Sequence, residues 1–585
     1  MIAVWAPRAG SVRLRRLTPA GATVSEHDLA PDARGGGWWS SEVELAEGER
    51  YGFLLDGRAD LRPDPRSRRQ PRGVHGPSAL FDASRFGWTD EHWEGRQLAG
   101  GVVYELHVGT FTPEGTLDAL SGRLDHLVDL GVTHIELLPV NAFSGTWNWG
   151  YDGVLWYAVH EGYGGPAAYQ RFVDAAHARG LAVVQDVVYN HLGPSGNYLP
   201  EFGPYLRDGQ NTTWGASVNL DEPAVREFII ENALMWLRDL HVDALRLDAV
   251  HALHDERSPH LLQELAERVD ALAEELGRPL SLIAESDLND PTLILPREAG
   301  GYGLTAQWSD DWHHAVHVAL TGETEGYYAD FAAPDALPKV SQGGFFHDGT
   351  FSSFRGRPHG SPLPEDVPAW RLVTFTQDHD QIGNRAEGDR LSASLSPGRL
   401  AVAAVLTLTA PGTPMLFMGE EWGASTPWQF FTSHEEPELA KATAEGRIAE
   451  FARMGWDPDR VPDPQDPETF RRSHLDWDEV GEPHHESLLA LYRHLIALRR
   501  ERPELTDPDM AHTVVTVIEA EAAPQSRAYR IDRGALSVLV NLTGAEVEFP
   551  VDADARILLE TSEVSVTGRA IGLPPESAVI VGPAA

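Results

Sequence analysis

From about residue 101 the chain repeats one pattern: a short apolar run, then a longer stretch of mixed polarity, then another apolar run. The runs are Val102–His107, His134–Leu138, Ala182–Val188, Ala244–Asp248, Ser281–Glu285, Leu304–Trp308, Leu372–Thr376 and Pro414–Met418. Each has the length and composition of a buried strand. Amphipathic segments lie between several of them; in His260–Leu276 the apolar residues recur at helical spacing. Eight buried strands with helical crossovers predict an α/β chain built on a (β/α)8 TIM barrel, here over residues 91–505. Two crossovers, Gly193–Leu240 and Trp312–Trp370, are long, and long loops on this fold are usually built over the active face.

The two flanks alternate differently. Before residue 90, short alternating runs at Val4–Pro7, Val12–Leu14 and Arg50–Gly57 are split by Gly, Pro and Asp turns, which predicts an N-terminal β-sandwich over 1–90. Arg62–Ser78, rich in Pro and Arg, reads as a linker. After residue 505, the runs Thr513–Ile518, Ser526–Ile531, Ala535–Leu542 and Val547–Pro550 are separated by Asp, Gly and Pro. They predict a C-terminal antiparallel β-sandwich over 506–585.

Composition narrows the chemistry. A length of 585 residues allows a barrel with accessory domains. The formal net charge of -41 disfavours nucleic acid and anionic membrane as partners, because phosphates are repelled; a neutral substrate is indifferent to it. There is no cysteine, so disulfides, thiolate metal sites and a cysteine nucleophile are excluded. No apolar run spans a bilayer. The first sixteen residues alternate like a strand and lack the form of a signal peptide. The expected location is the cytoplasm.

On a (β/α)8 barrel, chemistry sits at the C-terminal strand ends. Four runs end in ionisable clusters. The third ends Asp186-Val187-Val188-Tyr189-Asn190-His191. The fourth ends Arg246-Leu247-Asp248; alternation puts Arg246 and Asp248 on one face, where the guanidinium favours an ionised carboxylate, the state a covalent nucleophile needs. A structural ion pair gives the same pattern. The fifth ends Ala284-Glu285-Ser286-Asp287. A Glu closing an apolar strand beside another carboxylate should have a raised pKa and can carry a proton at neutral pH, although Ser286 or Asp287 could merely cap a helix. The seventh reads Gln377-Asp378-His379-Asp380-Gln381-Ile382-Gly383-Asn384-Arg385, and alone it could be a polar loop. All four in order on successive runs are hard to explain as structure only.

These four segments resemble the signature regions of the α-amylase superfamily of glycoside hydrolases. The resemblance implies a retaining mechanism with Asp248 as nucleophile, Glu285 as general acid/base and Asp380 as transition-state stabiliser. It implies that Arg246 orients Asp248 and that Asp186, His191 and His379 bind the sugar whose bond is cleaved. Tyr151, in Trp149-Gly150-Tyr151-Asp152-Gly153, would stack on that sugar, with Trp149 beside it among the substrate contacts. The spacing that retention requires is two carboxyls about 5–5.5 Å apart. No cofactor and no metal is expected: Asn190 stands where calcium-dependent amylases place a ligand, but no set of oxygen ligands accompanies it.

Within the superfamily, segments across nearly the whole chain are similar to those of the trehalohydrolases that act on maltooligosyltrehalose. They include Pro63–Ser78, Asn148–Val154, Gln307–His314, Phe345–Gly360 and Asp380–Arg385. That implies cleavage of the α-1,4 bond next to a terminal trehalose, a neutral oligosaccharide as substrate, and functional pairing with a maltooligosyltrehalose synthase. Asp287, Asn289, Asp310, Gln381 and Arg385 are placed to read the leaving trehalose. Asp378 departs from the pattern, which has Asn, and would add negative charge near Asp380. The alternatives are a glycogen branching enzyme, which shares the N-terminal module and the three carboxylates, and an inactive scaffold, which would have lost them.

Overall fold

The computed structural model describes residues 2–212, 215–453, 460–520 and 523–583. Its centre is a closed barrel of eight parallel strands. They are β1 (Val103–Leu106), β2 (His134–Leu137), β3 (Ala182–Val187), β4 (Ala244–Leu247), β5 (Ser281–Ala284), β6 (Ala306–Trp308), β7 (Leu372–Phe375) and β8 (Thr413–Phe417). Each overlaps one predicted run. Neighbours follow chain order, and β8 pairs with β1 to close the ring.

Every barrel strand is buried along its length, because helices cover the outside and side chains fill the inside. Val103, Val184, Ala244, Ile283, Ala306, Val373 and Met415 form the apolar plug of the interior. On β1 to β5 the next inward positions towards the C-terminal mouth are ionisable: Glu105, Glu136, Asp186, Arg246 and Glu285. Register sets Glu105 beside Glu136, and Asp186 beside Arg246.

Helices follow most strands, among them Gly165–His177 after β2, Leu261–Leu276 after β4, Pro397–Thr409 after β7 and Pro483–Glu501 after β8. The crossover from β5 to β6 departs from the repeat: it holds only the short turns Pro291–Leu293 and Arg297–Ala299. Pro291, Pro296 and the glycines at 300, 301 and 303 deny an α-helix its donors and its φ range.

Antiparallel sheets lie on both flanks. In the first, Thr23–Asp28, Val12–Leu17, Arg50–Leu55 and Ser78–Ala79 pair in that order, next to a three-stranded sheet. The stretch read as a linker is packed instead. Ser78–Ala79 is a strand of this sheet, and buried Asp64 accepts from Tyr51 Oη at 2.8 Å. Arg66 donates to Tyr157 Oη at 2.9 Å and Arg69 pairs with Glu161 at 2.8 Å, tying the N-terminal sheets to the loop after β2. At the other end a five-stranded sheet faces a three-stranded one across a core of Leu539, Phe549, Ile571, Leu573 and Val579. Its last four strands, from Arg556 to Gly582, were not predicted.

Candidate active site

The site grows from the end of β4. Arg246 is fully buried, its guanidinium over the Trp308 ring at 4.5 Å. Its Nη1 donates to Asp248 Oδ1 at 2.7 Å and to both oxygens of Asp186 at 3.1 Å, while Nη2 lies 3.7 Å from Glu285 Oε2. One guanidinium thus gathers the ends of β3, β4 and β5. Asp248 Oδ2 accepts from Asn190 Nδ2 at 2.7 Å, so both its oxygens act as acceptors, as an ionised carboxylate requires.

Glu285 is treated differently. Burial pushes its carboxyl up; Arg246 opposes that, and the nearby charge of Asp248 adds to it. Its Oε2 accepts the Ala249 N–H at 2.6 Å. That donor points correctly because Ala249 holds a left-handed conformation, φ 41°, unusual for alanine and typical of a residue constrained for function. Asp186 is also raised, to about 7, by burial against the pull of Arg246.

The loop after β7 supplies the third carboxylate. Asp380 is the most open of the three, its side chain 47% exposed. It accepts from Asn384 Nδ2 at 3.2 Å and lies 3.7 Å from His379 Nε2. His379 is held from both sides. Nδ1 meets Glu105 Oε1 at 2.5 Å, and Nε2 meets Tyr151 Oη at 2.8 Å. Burial works against its charge, but Glu105 and Asp380 overcome this and lift the imidazole to about 10. Tyr151 stacks on the His379 ring, centroids 5.2 Å apart, and donates to Asp186 Oδ2 at 2.6 Å. The preceding Gly150 is required: at φ 110° it lies so close to Pro139 that a Cβ would fall 2.1 Å from the carbonyl oxygen. His191 is buried beside Asn190, Nδ1 to Oδ1 at 2.5 Å, and burial pulls its pKa down.

Not every expected contact faces this space. Trp149 is 4% exposed and stacks on Trp428, centroids 5.3 Å apart, with its Nε1 donating to the Gln429 carbonyl. Its ring edge fills the space that a side chain at Gly383 would need. It backs the His379 loop and offers no open face to a sugar. Asn289 is buried, donating to Asp311 and to the His347 carbonyl. Arg385 is locked in a bidentate pair with Glu323 at 2.8 and 2.9 Å and in a second pair with Asp389. Trp149 and Asn289 are thus buried, and the half-buried Arg385 is held by two carboxylates.

Asp287, Asp310 and Gln381 remain accessible. Asp287 accepts from Arg355 at 2.5 Å, and Gln381 Oε1 accepts from Tyr327 Oη at 3.4 Å. Asp310 makes no side-chain hydrogen bond among the described residues; burial and then Glu285 push its carboxyl well up. Asp378 is buried under the His379 loop. It caps the turn that follows, accepting from Gln381 N at 2.6 Å, and burial beside Glu105 holds its carboxyl well above the usual range.

Glu105 and Glu136 escaped the sequence reading. A charged residue at an inward position of an apolar strand was the available signal, in Val103-Tyr104-Glu105-Leu106 and His134-Ile135-Glu136-Leu137.

Comparison with known proteins gives the family. The α-amylase catalytic domain family matches residues 82–205. The malto-oligosyltrehalose trehalohydrolase of Arthrobacter ramosus is 60% identical over 584 residues, covering 99% of this chain and 98% of its own. That of Rhizobium sp. (strain M-11) is 59% identical over 585 residues, covering 99% and 97%. Among solved structures, a putative α-amylase from Salmonella typhimurium is 38% identical with a TM-score of 0.89, covering 99% of this chain and 97% of that one. A 1,4-α-glucan branching enzyme of Bacillus caldolyticus is far more distant, 28% identical over 464 residues, covering 73% of this chain and 65% of its own. The chain belongs to the malto-oligosyltrehalose trehalohydrolase family, among the α-amylase-type glycosidases.

Proposed function

We propose that this chain hydrolyses, with retention, the α-1,4-glucosidic bond next to the terminal trehalose of maltooligosyltrehalose, releasing trehalose and a maltooligosaccharide. The observation that carries the chemistry is the shared guanidinium. Asp248 and Glu285 both lean on Arg246, yet Asp248 is arranged as an anion and Glu285 as an acid. Two carboxyls with opposite proton states are what a retaining glycosidase requires.

Asp248 attacks the anomeric carbon while Glu285 delivers its proton to the glycosidic oxygen, and trehalose departs with that oxygen as a hydroxyl. Glu285, now a carboxylate, takes a proton from water. The water oxygen bonds to the anomeric carbon as the bond to Asp248 breaks, which frees the maltooligosaccharide and restores both carboxyls. Asp380, with Asp186 and His379, grips the hydroxyls of the distorted sugar, and Tyr151 stacks on its face. Asp287, Asp310 and Gln381 read the leaving trehalose.

The substrate already carries its 1,1-linked end, so a maltooligosyltrehalose synthase acts before this enzyme. We place both in the cytoplasm, which suits a chain without cysteine. No helix of the described residues is long and apolar enough to cross a membrane.

The test is chromatography of products from maltotriosyltrehalose and from maltopentaose. Both offer α-1,4 bonds, so only the leaving side distinguishes them. Each polar group left unpaired there costs about 1–3 kcal/mol, and two or three such groups give a preference on the order of a hundredfold or more for the trehalose-ended substrate. Equal rates would make the chain a general amylase. New α-1,6 branches on amylose would make it a branching enzyme.

A further inference from the structure

We propose that Glu105 is a positioning residue that holds His379 as an imidazolium and so strengthens the hydrogen bond by which Nε2 holds Tyr151, in a chain that runs from β1 to the cluster on Arg246. The inference rests on the reading of this pocket as the subsite of the cleaved sugar.

The argument follows the hydrogens. Tyr151 has one phenolic proton, and it is donated to Asp186 Oδ2 at 2.6 Å, a carboxylate whose two oxygens also accept from Arg246. Towards His379 the phenol oxygen can then only accept, so Nε2, 2.8 Å away, carries a hydrogen. The other ring nitrogen lies 2.5 Å from Glu105 Oε1, while Glu105 Oε2 accepts the His379 backbone N–H at 3.0 Å. A bare nitrogen lone pair against a carboxylate oxygen at that distance would be repulsive, so Nδ1 carries a hydrogen as well. Both nitrogens donate, and the ring is cationic. Glu105 and His379 are each about 1% exposed, so water does not screen the pair.

The surrounding acidic groups agree, Glu105 and Asp380 most strongly. Facing His379 are Glu105 from β1, Glu136 on β2 with Tyr151 in the loop beyond it, Asp186 from β3, and Asp378 and Asp380 on its own loop. Arg246 acts on the same Asp186 and Tyr151, and buried His107, with its pKa pulled down to about 3, is neutral. The balance is acidic, and burial alone would have made His379 neutral.

Two things follow. Tyr151 is pinned at both ends, ring on imidazolium and hydroxyl between His379 and Asp186, so its face is preset for a sugar. Nε2 remains a donor at every pH where the enzyme works. Without the Glu105 charge, a neutral His379 would keep the hydrogen on Nε2, where the Tyr151 oxygen accepts it, and leave Nδ1 bare. Nε2 would then be the weaker donor of an uncharged ring, and its hold on the Tyr151 oxygen would loosen.

The experiment uses full-length protein labelled with 15N-histidine, the His379 signals identified by their absence in His379→Gln. In the wild type both ring nitrogens should remain protonated from pH 5.5 to 8.5. In Glu105→Gln the amide oxygen takes the backbone N–H of His379 and the amide NH2 faces Nδ1, so Nδ1 should lose its hydrogen within that range. KM for maltotriosyltrehalose should then rise about tenfold between pH 6 and 8, while kcat at pH 6 stays within about threefold of wild type. Glu105→Asp, which keeps the charge, should restore a flat KM profile. A wild-type His379 that loses a proton below pH 8 would overturn the proposal, and this holds even if Glu105→Gln does not fold. So would a Glu105→Gln enzyme whose kcat and KM change equally at every pH. Failure to release trehalose would instead remove the functional reading and leave the ring-nitrogen result to stand by itself.

Discussion

The two mouths of the barrel carry similar residues in opposite states. At the N-terminal mouth, Asp243 accepts four hydrogen bonds: from Trp93 Nε1 at 2.7 Å, His177 Nε2 at 2.9 Å, Val183 N at 2.9 Å and Arg278 Nη1 at 2.6 Å. Asp90 accepts from His177 and His241, each at 2.8 Å, and those rings stack on Trp93 and Trp88. Burial opposes the Asp243 charge, but His177 and Arg278 outweigh it and hold its carboxyl below the usual range. At the C-terminal mouth, burial wins for Glu285, Asp186, Asp310 and Glu136. Neither oxygen of Glu136 has a hydrogen-bond partner, and neither do Nε and Nη2 of Arg246. The difference is one of satisfaction. Charges at one mouth are fully paired and hold the barrel together; at the other they are left under-paired, the condition in which proton affinity can be tuned for chemistry.

The largest effect expected to separate the mouths is Asp248→Asn. The amide keeps its contact with Asn190 but cannot attack, so turnover should fall by about 10⁴-fold or more with no loss of thermal stability. Steady-state kinetics beside calorimetry checks both halves, and a loss of only a few fold would remove Asp248 from the nucleophile role. Next is Glu285→Gln, expected to cost about 10²–10⁴-fold on natural substrate. A substrate with a good leaving group should recover the first step, and azide should recover the second. The raised Glu285 pKa also places the alkaline limb of kcat/KM at its deprotonation, so that limb should vanish in the variant on the activated substrate.

Asp243→Asn inverts the pattern. It strands the His177 and Arg278 charges in a buried place and should destabilise the fold by about 3–5 kcal/mol. The kcat of the folded fraction should stay within about twofold. Urea unfolding measures the first, and active-site titration the second; a large loss of kcat without a loss of stability would contradict the division between the mouths.

The smallest effect is in the pH dependence of stability. Burial opposes protonation of His177, but Asp243 and Asp90 raise its pKa in the fold. A raised folded pKa gives stability that is fully present below the unfolded value of about 6.5 and lost as pH rises through the folded value. Asp90 is lowered, by His177 and His241 against burial, so its contribution is present above its unfolded pKa and fades only in strong acid. The wild-type melting temperature should therefore decline above pH 6.5, and His177→Gln should flatten that decline. An unchanged slope would show that His177 does not titrate with folding.

The same contrast explains what the sequence made legible. The eight barrel strands stood out because both faces of each are buried, leaving apolar runs that polar residues end abruptly. Asp248, Glu285 and Asp380 were visible because they sit where those runs stop. What escaped depends on partners remote in the chain. Arg385 looks free in sequence, yet Glu323, sixty-two positions away, binds it. Asn289 looks like a polar loop residue, yet Asp311 buries it. Trp149 has the type expected of a sugar platform, and only the positions of Trp428 and Gly383 show that its faces are covered. The missed strands Ser565–Thr567 and Arg556–Glu560 are short and largely exposed, so neither has the apolar signature of the barrel.

Trapping the covalent intermediate tests the assignment of chemistry to one mouth most directly. The wild-type enzyme incubated with 5-fluoro-α-maltosyl fluoride should accumulate a glycosyl-enzyme, because the ring fluorine slows both steps while the fluoride leaving group keeps the first one fast, and peptide mass spectrometry should place the sugar on Asp248. A label on Asp380 or Asp186, or rapid turnover to a product of inverted configuration with no label, would contradict it.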